Sequence, residues 1–171
     1  MNAVSASLSD PSDAAEVQIL REREQDAVAV EALVMAAFGP GRFAKTAERV
    51  RERAGLVVGF TVFEGEALLG SVRLWSVSAG RAKGVSLGPI AVAKSNRSGG
   101  LGGKLVERCI EEARALGTDG ILLIGDPPYF ERFGFVPAPK AMFAGPVNPR
   151  RVMWLPFTDV ASDGIVKPLA L

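Results

Sequence analysis

The fold of this 171-residue chain is decided by residues 85–135, which begin with VSLGPIAVAKSNRSGGLGGKLVERCIEEARALG (residues 85–117). The first eight residues are apolar and typical of a strand, but they include Gly88 and Pro89. Proline has no N–H to donate to a neighbouring strand, so it is largely confined to bulges and sheet edges. We therefore predict a bulged strand over residues 85–92, with backbone groups left free to bind something other than a strand.

A glycine-rich turn, KSNRSGGLGGK, follows at residues 94–104. Apolar residues then recur every three or four positions, which predicts a helix that starts near Leu101 and ends near Gly117. The first amides of a helix have no intrahelical partner and carry partial positive charge, so they favour a phosphate. Because glycines allow a ligand to approach the backbone closely, the turn predicts an anion site flanked by Arg97 and Lys104.

Two common phosphate-binding loops do not fit this turn. A P-loop needs glycine where the chain has Ser98 and a serine or threonine where it has Leu105. A dinucleotide fingerprint that starts at Gly100 needs its third glycine at Leu105. Both alternatives are rejected.

Besides the bulged strand and the helix after the glycine turn, period-two and apolar patterns predict five further strands and three further helices. The strands are predicted at residues 17–20, 56–63, 67–75, 121–124 (buried) and 152–155, with residues 78–84 as a polar connection. The helices are residues 26–38, a second one that carries Phe43, Ala47, Val50 and Ala54 inward, and a short one from Asp126 to Gly134. The strand–helix–strand order around the glycine turn favours parallel pairing. We therefore predict an α/β domain, a mixed sheet with helices on both faces.

The composition sets the broad class of the protein. Apolar residues make up 48% of the chain and charged residues 23%, which fits one globular domain over residues 16–171 after a flexible tail at 1–15. The apolar runs are too short to span a membrane, the first residues lack the features of a signal peptide, and a net charge of +1 gives no support to a nucleic-acid partner. The single Cys109 fits the core and a cytoplasmic location.

The chain contains no histidine. Its absence removes the usual serine and cysteine nucleophile triads and the histidine-based zinc sites. With one cysteine, no thiolate cluster can replace those zinc sites, so we expect no metal.

The segment RSGGLG, from Arg97 to Gly102, fits the R/Q-x-x-G-x-G/A loop and resembles the GNAT superfamily of N-acetyltransferases. Residues 87–92 resemble the bulged strand of that family, and GDPPYFERFGF at residues 125–135 resembles the closing segment of its YhbS-like branch. The resemblance implies a single GNAT-like domain whose central mixed sheet has its fourth and fifth strands splayed apart.

The resemblance also implies an acetyl-CoA-dependent N-acetyltransferase that passes acetyl directly to a primary amine on a small molecule or peptide, without an acyl-enzyme. The residues implied to bind acetyl-CoA are Ile90, Ala91, Val92, Arg97, Ser98, Gly99, Gly100, Leu101, Gly102, Gly103, Lys104 and Phe130. The loops at residues 39–43 and 138–150 are expected to border the acceptor site. The acceptor, the general base and the oligomeric state, a homodimer included, stay open.

Tyr129 is the candidate general acid, because the family often uses a tyrosine on the short helix to protonate the departing thiolate. That tyrosine normally stands four residues before the glycine of the G-F pair, where this chain has Phe130. Tyr129 therefore has a packing role as its alternative. The same departure leaves open a second function, a non-catalytic module that binds or senses acyl-CoA. The cations of the second helix, Lys45, Arg49, Arg51 and Arg53, are expected to form a solvated face; the alternative is a wall of the acceptor site or a contact to the cofactor.

Overall fold

The structure, a computed structural model, describes residues 17–97 and 99–171. The predicted tail at residues 1–15 lies outside the described residues, and so does Ser98 of the glycine turn. Within the described part of the chain, no helix is long and apolar enough to cross a membrane.

The described residues form ten strands and four α-helices. The strands are β1 (Ile19–Arg21), β2 (Leu56–Glu64), β3 (Ala67–Ala79), β4 (Ala82–Leu87), β5 (Ala91–Val92), β6 (Gly120–Ile124), β7 (Val136–Pro137), β8 (Ala141–Met142), β9 (Val152–Pro156) and β10 (Gly164–Pro168); the helices are α1 (Ala27–Phe38), α2 (Thr46–Arg51), α3 (Leu101–Ala115) and α4 (Pro127–Phe130). Short 3₁₀ turns connect several of them.

The sheet is mixed, as predicted, and its main path runs β1-β2-β3-β4-β6-β9-β7. The β4–β6 pair is parallel, whereas the other neighbours on this path are antiparallel. The two parallel strands pair only at Val85–Ile121 and Ser86–Leu122. Just before these pairs, a Cβ on Gly84 would lie 2.4 Å from the carbonyl oxygen of Gly120, so the strands are closest at this end. Beyond Ser86, β4 and β6 are no longer paired. They correspond to the fourth and fifth strands of the prediction, at residues 85–92 and 121–124, so the predicted splay is confirmed.

Helices cover both faces of the sheet. Successive side chains of β3 point to opposite sides, so each face of this strand meets a different helix. Val72 and Leu74 share one hydrophobic cluster with Leu105 of α3. Arg73, between them, reaches the other face and donates to Glu31 of α1 at 2.8 Å. The side chain of Cys109 is fully buried in the α3 cluster, as predicted.

Two local predictions were wrong. Residues 78–84 are not a loop but the paired ends of β3 and β4, joined at Ala79 and Ala82. Phe43 does not face inward, because a 3₁₀ turn from Pro40 to Ala44 separates it from α2 and leaves its ring exposed against the Arg42 guanidinium. Arg73, on the other face of β3, is a buried charge. Two carboxylates compensate its charge, and hydrogen bonding to Glu22 raises the pKa of Arg73 above its ordinary value.

Candidate active site

The predicted bulge lies between β4 and β5. Leu87 pairs with Leu74, and Ala91 pairs with Ser71, so three residues, 88–90, stand opposite two residues of β3. Gly88 is held in place because its N–H donates to the Arg73 carbonyl at 2.9 Å and its own carbonyl accepts from the Trp75 indole at 2.7 Å. Among the described strands, β5 pairs with β3 alone. Its second edge is therefore left for a ligand.

A cavity of about 570 Å³ occupies the gap between the splayed strands. The bulge and the end of β6 form two of its walls, through Leu87–Ile90 and Leu123–Ile124. The other walls come from α1, the turn after it, α2, α4 and the loop before β9: Phe38, Arg42, Ala44, Lys45, Thr46, Ala47, Glu48, Arg51, Phe130, Pro146, Val147, Asn148 and Arg151. Parts of both loops expected to border the acceptor site, at residues 39–43 and 138–150, therefore line the cavity.

The glycine turn leads into α3 as predicted. We call Arg97 and residues 99–104 the glycine end. Gly100 adopts φ +74° just before the helix, a conformation that side chains disfavour. The first helical hydrogen bond runs from the Lys104 amide to the Gly100 carbonyl, so the amides of residues 101–103 precede the intrahelical ladder. The Arg97 Nε donates to the Val92 carbonyl at 3.3 Å and ties the turn to β5.

The surface of the glycine end is bare backbone. A Cβ on Gly99 or Gly102 would meet no atom closer than 3.4 Å, and one on Gly100 would meet none within 4 Å. Leu101, by contrast, turns its side chain into the core, so only its backbone can serve a ligand. Exposed amides with a positive helix dipole behind them are suited to a phosphate or pyrophosphate group.

The cavity holds buried charges, of which the sequence singled out Arg51, as part of a solvated face or of a wall of the acceptor site, but not Arg42 or Glu48. We call Arg42, Glu48 and Arg51 the arginine end. The Arg42 Nη1 donates to Glu48 Oε1 at 3.3 Å, and the Arg51 Nη1 donates to Glu48 Oε2 at 3.2 Å. Arg42 also donates to Glu31 at 2.5 Å, and Glu31 accepts from Arg73, so the charges form a chain that reaches the centre of the sheet.

Comparisons with known proteins agree with this geometry. The model of the Acetyltransferase (GNAT) family matches residues 20–135, which include the bulge, the glycine end and α4. The chain belongs to the GNAT family. The Escherichia coli (strain K12) protein named Uncharacterized N-acetyltransferase YhbS is 28% identical over 113 residues, 64% of this chain and 68% of that protein.

Two solved structures carry ligands that bear on this GNAT fold. YhbS from Escherichia coli in complex with CoA has a TM-score of 0.78 and 25% sequence identity, over 95% of this chain and 93% of that one. A GNAT family acetyltransferase from Brucella melitensis in complex with acetyl-CoA has a TM-score of 0.70 and 25% identity, over 90% and 96% of the two chains.

The two aromatic residues of the GNAT closing helix point to different places. Phe130 lines the cavity, at the register where the family tyrosine is expected. Tyr129 does not line it: its hydroxyl lies 3.4 Å from the Cβ position of Gly102 and 3.8 Å from that of Gly103. The Arg132 guanidinium covers the tyrosine ring at 4.1 Å. The general-acid role of Tyr129 stays a prediction, and its position favours a contact at the glycine end.

The described residues of this GNAT domain offer few other groups for catalysis: a buried thiol and one cavity carboxylate. Cys109 is buried in the core, and burial raises the pKa of its thiol, so it is kept as an inert thiol away from the cavity. Among residues 17–97 and 99–171, no group of three or more histidine, cysteine or acidic side chains could hold a metal ion. Among the described residues that line the cavity, one carries a carboxylate, Glu48, and two arginines bind it.

Proposed function

We propose that this protein is an acetyl-CoA-dependent N-acetyltransferase that passes the acetyl group directly from the thioester to a primary amine. The observation that carries the proposal is the succession along the chain of the cavity between β4 and β6, the unpaired edge of β5 and the glycine end; we call these three features together the cleft. Relatives of the same fold hold CoA or acetyl-CoA, which supports the same ligand here.

In this proposal the glycine end binds the pyrophosphate of acetyl-CoA. The amides of residues 101–103 donate to it, and Arg97 and Lys104 supply charge at the sides. The backbone of Ile90, Ala91 and Val92 follows the pantetheine arm along the free edge of β5, and Phe130 packs beside it in the cavity. Binding along an extended track fixes the thioester at the bulge, where orientation lowers the barrier to attack.

Transfer then proceeds in one step without an acyl-enzyme. The amine nitrogen attacks the thioester carbonyl carbon, the new C–N bond forms, the C–S bond breaks, and CoA leaves as a thiolate that takes up a proton. The amine loses its proton to water. A direct route is favoured because Cys109 is sequestered in the core and the chain has no histidine to activate a serine.

The second candidate is a non-catalytic acyl-CoA binding module. It is favoured by Phe130, which places a ring without a hydroxyl where the family tyrosine is expected to reach the cavity. A module of this kind would bind acetyl-CoA through the same cleft and release no CoA beyond spontaneous hydrolysis.

Thiol release separates the two functions. The full chain is incubated with acetyl-CoA and a panel of small amines, peptides and aminoglycosides, and each reaction is examined by mass spectrometry for an N-acetylated product. We expect CoA release above the rate without amine, matched by an acetylated product for at least one class. Tight acetyl-CoA binding with no product from any amine would reject the enzyme and favour the binding module.

A further inference from the structure

The cavity wall is strongly cationic. Four of the residues that line it carry positive charge, Arg42, Lys45, Arg51 and Arg151, whereas Glu48 is the carboxylate among them. Lining residues alone therefore give an excess of three positive charges at neutral pH. A cavity built to receive a polyamine or another multiply charged cation would be expected to have the opposite sign.

The two arginines of the arginine end are buried with donors left over. The side chains of Arg42 and Arg51 are only 8% and 14% exposed. Among the described residues, the Nε of each lies buried without a hydrogen-bond partner. A buried donor without a partner costs free energy, and a charged one costs more than a neutral one. The Nε atoms are themselves covered, so a ligand in the cavity would have to bind the Nη groups of the two arginines.

Three carboxylates and three arginines form this chain of ion pairs, because Glu22 pairs with Arg73, and Arg51 stands at the end of the chain with Glu48 as its partner. Glu48 is shared between both guanidinium groups, and Glu31, the second partner of Arg42, is shared with Arg73. For Arg51, burial lowers the pKa of the guanidinium below its ordinary value, against the opposing effect of Glu48. The surroundings of Arg51 therefore provide less negative charge than a buried cation requires.

Arg51 also lies beside the bulge. Its Nη2 is 2.5 Å from the position that a Cβ on Gly88 would occupy, and Gly88 has φ +135°. The absence of a side chain at Gly88 is what lets the guanidinium approach the backbone at the bulge. The glycine end adjoins the other end of this track, beyond Val92, since Arg97 bonds the Val92 carbonyl there. Arg51 thus lies at the bulge, at the end of this track opposite to the glycine end.

Resting on the acetyl transfer proposed above, we propose that the acceptor is a primary amine that also carries an anionic group, a carboxylate or a phosphate, bound by Arg51 and Arg42 in the cavity. A planar guanidinium suits both kinds of anion, because it can donate two parallel hydrogen bonds to a pair of oxygens. The anion holds the acceptor by one end, and the amine faces the bulge where the thioester is presented.

Matched pairs of acceptors test the charge requirement. Each L-amino acid is compared with its own amide, which removes the carboxylate and keeps the amine, and aminoalkylphosphonates are compared with amino alcohols of equal chain length. We expect kcat/KM at least about 10-fold higher for the anionic member of the productive pair, in line with a charged hydrogen bond. Carboxylates and phosphonates are separate arms, so the result also tells which anion is preferred.

Substitutions at Arg51 test its assignment. Arg51→Gln is expected to lower kcat/KM for the anionic acceptor by about 10- to 100-fold, mainly through KM, and to leave its neutral partner almost unchanged. Arg51→Lys keeps the charge and should retain an intermediate value. The control is Arg49→Gln, an exposed arginine on the same helix that does not line the cavity, which should behave as wild type.

The outcomes separate this inference from the proposed function. Equal or better transfer to neutral and cationic amines, or an Arg51→Gln variant that slows both members of a pair alike while binding CoA normally, would overturn the anionic acceptor and leave the N-acetyltransferase intact. Absence of transfer to every amine in both panels would overturn the N-acetyltransferase itself. Calorimetry with CoA on each variant shows that the cleft is still folded.

Discussion

The two ends of the cleft are built from opposite kinds of chemistry. The glycine end offers backbone amides that precede the hydrogen bonds of α3, with open space at Gly100 and the Tyr129 hydroxyl near Gly102 and Gly103. The arginine end offers buried side chains that carry full charges. Both are suited to anions, but the first is generic and the second depends on the placement of individual guanidinium groups. The difference suggests that the shared substrate of the family binds at the first and the substrate particular to this chain at the second.

A second carboxylate of the same protein shows what is unusual about the arginine end. Glu112 on α3 is also bound by two arginines, Arg21 at 2.6 Å and Arg108 at 3.1 Å. Those arginines are 60% and 30% exposed, so water completes their solvation. The arginines around Glu48 are only 8% and 14% exposed, although each carboxylate is again bound by two arginines. Their missing solvation is the part that a ligand can supply.

The largest effect is expected at the glycine end. Gly102→Glu places a carboxylate where the pyrophosphate is bound, and like charges at 4 Å repel by about 1 to 4 kcal/mol, depending on the local dielectric. We expect thiol release to fall by about 100-fold or more at sub-saturating acetyl-CoA. Gly102 is preferable to Gly100 for this change, because Gly100 has φ +74° and a side chain there would also strain the turn.

The matched control for Gly102→Glu is Ala115→Glu, which adds the same side chain at the exposed far end of α3. Ala115→Glu should keep wild-type turnover. Equal loss in both variants would show that added negative charge on α3, rather than a blocked pyrophosphate site, is responsible.

A smaller effect, at the middle of the cleft, tests where the departing sulfur lies. Because Phe130 lines the cavity and Tyr129 reaches the glycine end, Phe130→Tyr should raise kcat, by up to about 100-fold, if a general acid is what the wild type lacks. Tyr129→Phe should instead raise KM for acetyl-CoA by about 10-fold or less and leave kcat nearly constant, as the loss of one neutral hydrogen bond predicts. Single-turnover rates of both variants provide the check.

The opposite pattern would move the sulfur toward the glycine end. If Tyr129→Phe lowers kcat by about 10²- to 10⁴-fold and alters the alkaline limb of the rate profile, Tyr129 is the general acid after all. The thioester would then lie nearer to the glycine end than the position of Phe130 in the cavity indicates.

The smallest effect concerns the solvated counterpart, Glu112. Burial works to raise the pKa of Glu112, but the hydrogen bonds and charges of Arg21 and Arg108 outweigh it and hold the pKa below its ordinary value of 4.5. A lowered pKa in the folded state stabilises the fold above the unfolded pKa, and this contribution is lost as the pH falls through the folded pKa. Glu112→Gln should therefore lower the free energy of unfolding by about 1 kcal/mol at pH 7.

The difference between wild type and Glu112→Gln should shrink as the pH falls below about 4.5, the ordinary glutamate value. Urea unfolding at pH 7 and at acidic pH measures it. A difference that stays constant across this range would mean that the glutamate contributes through packing rather than through its charge.

The sequence predicted the local structure of the glycine end, a glycine turn that leads into a helix, and of the arginine end it pointed only to Arg51. Glycines before an apolar helical repeat have a local signature, and so does a Gly-Pro pair in a strand, because each depends on neighbours within about one turn or one strand. Glu31, Arg42 and Arg73 come from three separate elements and meet only when the sheet and helices have packed. In the sequence such residues look like the surface charges that most arginines and glutamates are.

One signal could have pointed to the arginine end. The three residues of the arginine end lie within ten residues of one another, from Arg42 to Arg51. They are next to a loop that was expected to border the acceptor site. The guanidinium of arginine is more weakly hydrated than the ammonium of lysine, and its planar group is preferred for buried ion pairs. Helical periodicity alone could not show which face of α2 would be covered.

The central claim, one cleft whose two ends bind different substrates, is tested most directly by calorimetric titration of acetyl-CoA into wild type, Gly102→Glu and Arg51→Gln. We predict binding to wild type, no measurable binding to Gly102→Glu, and wild-type affinity for Arg51→Gln, because Arg51 lies at the bulge, opposite to the glycine end. Unchanged affinity in a folded Gly102→Glu variant would contradict the account. So would a loss of acetyl-CoA binding in Arg51→Gln, which would place the cofactor at the arginine end.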